Sequence, residues 1–179
     1  MTSIIKTKNL QTDNIKSIDG ATAMTINSSG LVLPNSLICQ VSATNTDQSI
    51  SATTDTLVQW GAVDIDTGNY WDSTNHRYTP LVAGWYRIGG QVRAALGANV
   101  NSFFSMLIRK NGSQIHDTRY QFSSDTLSNS TLPIGTLFVQ LNGSGDYIDM
   151  YCRTDEAVVI HDSGAPYVST FNFELVHAT

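Results

Sequence analysis

The chain has 179 residues, a formal net charge of −5, 41% apolar residues and only 14% charged ones. That is enough for one well-buried domain of ordinary size plus an appendage. No Lys/Arg block exists, which argues against a nucleic-acid or anionic-membrane partner, and no apolar run is long enough to span a bilayer.

Residues 1–36 differ from the rest. Ile4, Ile5, Leu10, Ile15, Ile18, Met24 and Ile26 are isolated among Thr, Asn, Ser, Asp and Lys. So polar a stretch cannot build a core alone. It reads as an extended, strand-rich stalk or anchor that orders when copies wind together or dock on a scaffold; a disordered tail is the competing reading. Fully extended at ~3.3 Å per residue it would reach ~120 Å. It lacks the apolar segment of a signal peptide, so the expectation is a chain made in a cytoplasm and soluble there until it assembles. Pro34-Asn35 marks the boundary between an attachment segment, 1–36, and a head domain, 37–179.

From residue 37 on, short strands alternate with turns. Strands are expected at 37–43, 57–63, 84–95, 102–110, 113–120, 130–141, 146–153, 158–160 and 170–176, with a loop at 44–54. Along 84–95, Tyr86, Ile88, Val92 and Ala94 share one face; Trp85, Arg87, Gln91 and Arg93 share the other. Asn111-Gly112 supplies the positive-φ pair of a type I′ hairpin, and residues 142–145 (NGSG) make a second tight turn. In 146–153 Cys152 alternates in phase with Ile148 and Met150. Cys39 and Cys152 are too few for a disulfide scaffold and read as free, buried thiols. No helix is expected, and the strand count points to a sandwich or jelly roll.

Candidate chemistry is thin. Asp64, Asp66, Asn69 and Asp72 surround Gly68 but do not follow a calcium-loop pattern, so they read as Asx turn residues at a sandwich corner. No cofactor is expected. Ca²⁺ would bind only if carboxylates of several copies met on an axis. His116-Asp117 and His161-Asp162 are sequence neighbours, which on a strand point to opposite faces and form no dyad. No nucleophile elbow and no phosphate-binding glycine loop occurs, so no enzyme is expected. Trp60, Trp71, Trp85, Tyr70, Tyr78 and Tyr86 read as core and corner packing rather than a sugar platform.

Three blocks carry a family resemblance. Gly68-Asn69-Tyr70, Asp72, Arg77-Tyr78-Thr79-Pro80 and Val82-Ala83-Gly84-Trp85-Tyr86 resemble the signature of C1q/TNF-like globular domains. Leu141-Asn142-Gly143 with Gly145-Asp146-Tyr147-Ile148, and the closing Ser169-Thr170-Phe171-Asn172-Phe173-Glu174-Leu175-Val176, extend the match in order, although Asn172 and Glu174 replace the family's small residues. The resemblance implies an all-β, ten-stranded jelly roll that forms a homotrimer. No Gly-X-Y repeat precedes it, so the collagen stalk of secreted animal members is absent. Residues 3–33 instead resemble N-terminal segments of bacteriophage fibre proteins, with Asp19-Gly20 and Ser28-Ser29-Gly30 as turns. The combined expectation is a phage virion protein: a trimeric tail fibre or fibre tip recognising a host-surface glycan, docked on other virion proteins through its N-terminus. The alternative is a trimeric capsid decoration protein at three-fold positions. Loops 96–101, 121–129 and 161–169 would form the distal tip, with Asn99, Asn101, Ser123, Asp125, Asn129, His161, Asp162 and Tyr167 as recognition residues, and turns 111–112 and 142–145 would face the stalk.

Overall fold

The structure, a computed structural model, describes residues 14–16, 22–26, 32–34, 36–43, 47–95, 102–122, 130–160 and 169–179. Two compact units are present, Met1–Ser36 and Leu37–Thr179. In the first, β1 (Asn14–Lys16), β2 (Thr22–Ile26) and β3 (Val32–Pro34) form an antiparallel three-stranded sheet. Ile15 lies opposite Met24 and Thr25 opposite Leu33.

The second unit contains β4 (Ile38–Ala43), β5 (Gln48–Ile50), β6 (Thr56–Leu57), β7 (Trp60–Asp66), β8 (Trp71–Asp72), β9 (Arg77–Tyr78), β10 (Ala83–Ala95), β11 (Phe103–Lys110), β12 (Ser113–Gln121), β13 (Ser130–Pro133), β14 (Leu137–Asn142), β15 (Ile148–Thr154), β16 (Val158–Ile160) and β17 (Thr170–Ala178). No helix occurs among the described residues. An eight-stranded sheet has the order β5-β16-β10-β17-β4-β7, with β13 and β14 also on β10; a six-stranded sheet has the order β12-β11-β15-β9-β8, with β6 on β15. All pairings are antiparallel.

β10 is the spine of the larger sheet. Its 13 residues outrun any one partner, so each edge is shared. β14 and β13 divide one edge, and β17 and β16 divide the other. The strand expected over 130–141 is split because Pro133 lacks an N–H to donate and Gly135 turns with φ +80°. The strand expected over 57–63 is also split. β6 pairs in the six-stranded sheet, whereas β7 pairs in the eight-stranded one, so the chain changes sheets at Val58-Gln59. Part of the expected loop at 44–54 is β5, which pairs with β16.

The core lies between the sheets and follows the alternation. The larger sheet contributes Val41, Trp60, Tyr86, Ile88, Val92, Phe171 and Phe173; the smaller contributes Tyr78, Phe104, Met106, Ile108, Ile148 and Met150. An aromatic seam joins them. Tyr78 stacks on Phe173 at 4.2 Å and meets Tyr86 edge-on at 5.9 Å; Phe173 also meets Phe171 at 4.4 Å, and Phe171 meets Trp60 at 5.6 Å. Replacing Phe173 by Ala removes the centre of this seam. The loss should be about 3–5 kcal/mol in urea unfolding of the purified chain.

At one end of the sandwich two turns are clamped together. Asn111 and Gly112 both have positive φ, as the β11–β12 hairpin requires. Asp146, buried in the 142–146 turn, accepts from Asn111 Nδ2 at 2.7 Å and from the Asn142 amide at 2.9 Å, and pairs with Lys110 Nζ at 2.9 Å. Burial opposes its charge, but the hydrogen bonds from Asn111, Lys110 and Asn142 and the Lys110 charge outweigh it, holding the carboxyl below its ordinary 3.8. A depressed carboxyl contributes stability that is complete above the unfolded-state value and is lost as pH falls through the folded-state value. Asp146→Asn should therefore cost roughly 1–3 kcal/mol at neutral pH. In denaturant titrations that difference should close as the pH drops below the carboxylate range.

Candidate interaction surface

The register of the larger sheet stacks its outward side chains in rows across β14, β10, β17, β4 and β7. One row contains Gln140, Trp85 and His177. The next contains Phe138, Arg87, Glu174 and Ile38. Above it come Gly89, Asn172, Gln40 and Ile65, and then Pro133, Gln91, Thr170, Ser42 and Ala62. Alternation places these residues outside because Tyr86, Ile88, Phe171 and Phe173 fill the core.

This face is not what an ordinary solvated sheet presents. Trp85, Phe138, Val176 and Ile65 are between 42% and 57% exposed. Phe138 stands out because it is the outward residue between inward Leu137 and Val139, where alternation calls for a polar group. In the row of Phe138, Arg87 pairs with Glu174, both side chains remaining partly exposed. One row up, an open hollow of about 510 Å³ is bounded by Gln40, Ile65, Arg87, Pro133, Asn172 and Glu174. Its floor is bare because β10 carries Gly89-Gly90 there. At Gly90, with φ +152°, a Cβ would stand 2.2 Å from the Thr170 carbonyl oxygen, so only glycine lets β17 approach. Trp85 and Phe138 on adjacent strands are exposed apolar area of the kind that a partner surface covers.

Sequence reasoning placed Trp85 and Arg87 on this outward face but passed over Phe138 and Val176. The signal for Phe138 was available: an aromatic residue out of phase in an otherwise alternating strand. The other expected sites sort differently. Asn99, Asn101, Ser123, Asp125, Asn129, His161, Asp162 and Tyr167 lie outside the described residues. The strand residues that lead into their loops register close together at one end of β10, with Ala94 opposite both Ser130 and Ile160 and Gln91 opposite Thr170. Turns 111–112 and 142–145 lie at the opposite end, where Ala83 faces Asn142.

The corner carboxylates act as local hydrogen-bond acceptors. Asp66 receives the Gly68 and Trp71 amides, and Asp72 receives the Thr74 and Asn75 amides and the Asn75 side chain. Asp64 receives Gln40 and Ser42. Among the described residues, no three His, Cys, Asp or Glu side chains gather as a metal site. His76 Nδ1 lies 2.9 Å from the Trp60 carbonyl oxygen, and His116 Nε2 lies 3.0 Å from Thr118 Oγ1, so neither ring is paired with a carboxylate at those nitrogens. Trp60, Tyr78 and Tyr86 are core residues, whereas Trp85 faces outward. Both cysteines are free and buried. Burial, with Asp66 and Asp64 nearby, pushes the Cys39 thiol up to about 12, and burial raises that of Cys152, so burial disfavours the thiolate at both.

The architecture is the C1q/TNF-like jelly roll. The globular domain of zebrafish complement 1qA superposes with a TM-score of 0.56 at 13% identity, over 80% of this chain and 99% of that one. Murine APRIL gives 0.54 at 13%, over 79% and 99%. Eiger TNF from S. frugiperda gives 0.56 at 10%, over 79% and 92%. No family model and no curated protein matches the sequence.

Arg87 and Glu174 are each more than a third exposed in the single chain, 56% and 39%. Their pair should contribute only ~0–1 kcal/mol there. Arg87→Ala should accordingly leave the unfolding midpoint of the dilute chain almost unchanged. A loss that appears only at high protein concentration would locate the pair in a covered interface.

Proposed function

We propose that this chain is a bacteriophage virion structural protein, a non-enzymatic homotrimer whose N-terminal unit attaches to the particle and whose jelly-roll head recognises a host-surface glycan. The observation that carries the assembly is the outward face of the larger sheet, with Trp85, Phe138 and Val176 exposed on a C1q/TNF-like head. The resemblance of residues 60–88 implies a trimer, and such a face supplies the apolar area that a trimer would bury. The Thr/Asn/Ser-rich sequence of residues 3–33, which resembles N-terminal segments of phage fibre proteins, supports the phage context. Recognition belongs to the loops at 96–101, 121–129 and 161–169, where weak single-site contacts to a sugar would be multiplied by three.

A second reading, a capsid decoration protein at three-fold positions, is favoured by one observation. The three described strands of the N-terminal unit pair antiparallel with one another, which supports a seat more than a shaft of extended chain.

Light scattering of the full chain should give a mass three times 19.5 kDa. Trp85→Lys combined with Phe138→Lys should raise the concentration at which it dissociates by at least ~10-fold while leaving the circular dichroism of the dissociated chain unchanged. Imaging of virions with a labelled antibody decides between the two readings: label at the tail supports the fibre, and label over the whole head overturns it in favour of decoration.

A further inference from the structure

The smaller sheet has an outward face of its own, across the core from the patch that a trimer would cover. Phe104, Met106 and Ile108 of β11 fill the core, which turns Phe103, Ser105, Leu107 and Arg109 outward. Two cations of this sheet are committed within the chain: Arg109 pairs with Asp55 and lies 3.9 Å over the Tyr151 ring, and Arg77 pairs with Asp72. Two others are not. Ser105 stands opposite Arg119 of β12 on one side and Arg153 of β15 on the other, so two arginines flank one small residue. Arg119 is exposed and has no ion pair among the described residues; its guanidinium lies 3.7 Å over the Phe103 ring. Stacking holds the plane of the group and leaves its in-plane N–H donors unused. Arg153 is half exposed, and its contact with Asp55 Oδ1, at 3.7 Å, is too long for a hydrogen bond. Asp55 Oδ1 indeed has no hydrogen-bond partner among the described residues.

Nearby acids restrict what these donors can accept. Asp117, opposite Leu107, stands two residues before Arg119, and Asp155, whose Oδ1 accepts the Phe103 amide at 2.9 Å, stands two after Arg153. Neither forms an ion pair with the two arginines. In a chain of net charge −5, such neighbours repel a dense polyanion or a dianionic phosphate more than they repel a single carboxylate. A flat carboxylate is also the group that a planar guanidinium fork matches with two parallel hydrogen bonds.

We propose that Arg119 and Arg153 form a carboxylate subsite for an acidic sugar, a uronic acid of a host-surface polysaccharide. The proposal rests on the glycan-recognition reading and deepens it: the acidic sugar is held on the face of the smaller sheet rather than by the loops alone, and a trimer would present three such subsites to one polymer.

The test is isothermal titration of the full chain at low salt with tri-galacturonate, its methyl ester, maltotriose and galactose 6-phosphate. Tri-galacturonate should bind at least ~10-fold more tightly than its ester, and Arg119→Gln with Arg153→Gln should weaken it at least ~10-fold without moving the melting temperature. Arg119→Gln alone breaks no ion pair and should still weaken binding several-fold, so it decides the matter if the double variant fails to fold. Undiminished binding by the variants overturns the subsite and leaves the glycan reading standing. Equal or tighter binding of the ester or of galactose 6-phosphate overturns the carboxylate. Binding of maltotriose alone overturns this inference but not the glycan reading, whereas a chain that binds none of the sugars counts against both.

Discussion

The stack of Tyr78 on Phe173, 4.2 Å between centroids and 15° from parallel, is the contact on which the rest of the head depends. Tyr78 belongs to a strand of only two residues, held in the ladder by Trp71 on one side and Ile148 on the other. So few ladder bonds would not position it. Its ring does, wedged between Phe173 and Tyr86 of the opposite sheet. The corner from Asp66 to Tyr78 is then pinned at both ends: Asp66 and Asp72 hold the turns, and the ring reaches across the core. Aromatic pairs contribute about 0.5–1.5 kcal/mol beyond the area they bury, and Phe173 takes part in several.

The same contact determines what the molecule shows to others. With Phe171 and Phe173 turned inward, alternation leaves Thr170, Asn172 and Glu174 no choice but the outward face. A one-residue slip of β17 on β10 would bury Asn172 and Glu174 and expose two phenylalanines, a change no local rearrangement could offset. The pairing of Arg87 with Glu174 and the place of Asn172 beside Gly89 are therefore consequences of core packing.

Much of this was legible in the sequence. Periodicity gave the faces of β10 and β17, and Asn111-Gly112 gave its hairpin, because a strand's period and a type I′ turn leave direct marks on residue type. The motif blocks gave the jelly roll. What stayed hidden depends on contacts between residues far apart in the chain. The switch of sheets at Val58-Gln59 has no local marker, since both flanking segments are ordinary strand formers. Asp146 read as one element of a motif, and its clamp on Lys110 and Asn111 appears only when two hairpins meet. The hollow over Gly89-Gly90 needs β17 and Gly135 beside it before the glycines form a floor. Phe138 was legible in principle, as an aromatic residue at an outward position of an alternating strand.

Magnitudes limit what the aromatic patch can do in assembly. Fully burying Trp85 and Phe138 would yield about 1.5–3 kcal/mol each. Association costs an estimated 4–15 kcal/mol in lost freedom for each partner immobilised. Two aromatic residues cannot offset that, so a stable assembly must also cover the rows above and below them. Phe138's own row contains the Arg87–Glu174 pair and the row above it the Asn172 and Gln40 amides, groups that are expensive to dehydrate unless the opposing surface supplies partners. An interface built on this face is thus forced to be specific: its apolar rows supply too little to tolerate unmatched polar ones. Closing a ring of copies while satisfying Glu174, Arg87 and Asn172 is a far narrower requirement than covering a hydrophobic patch.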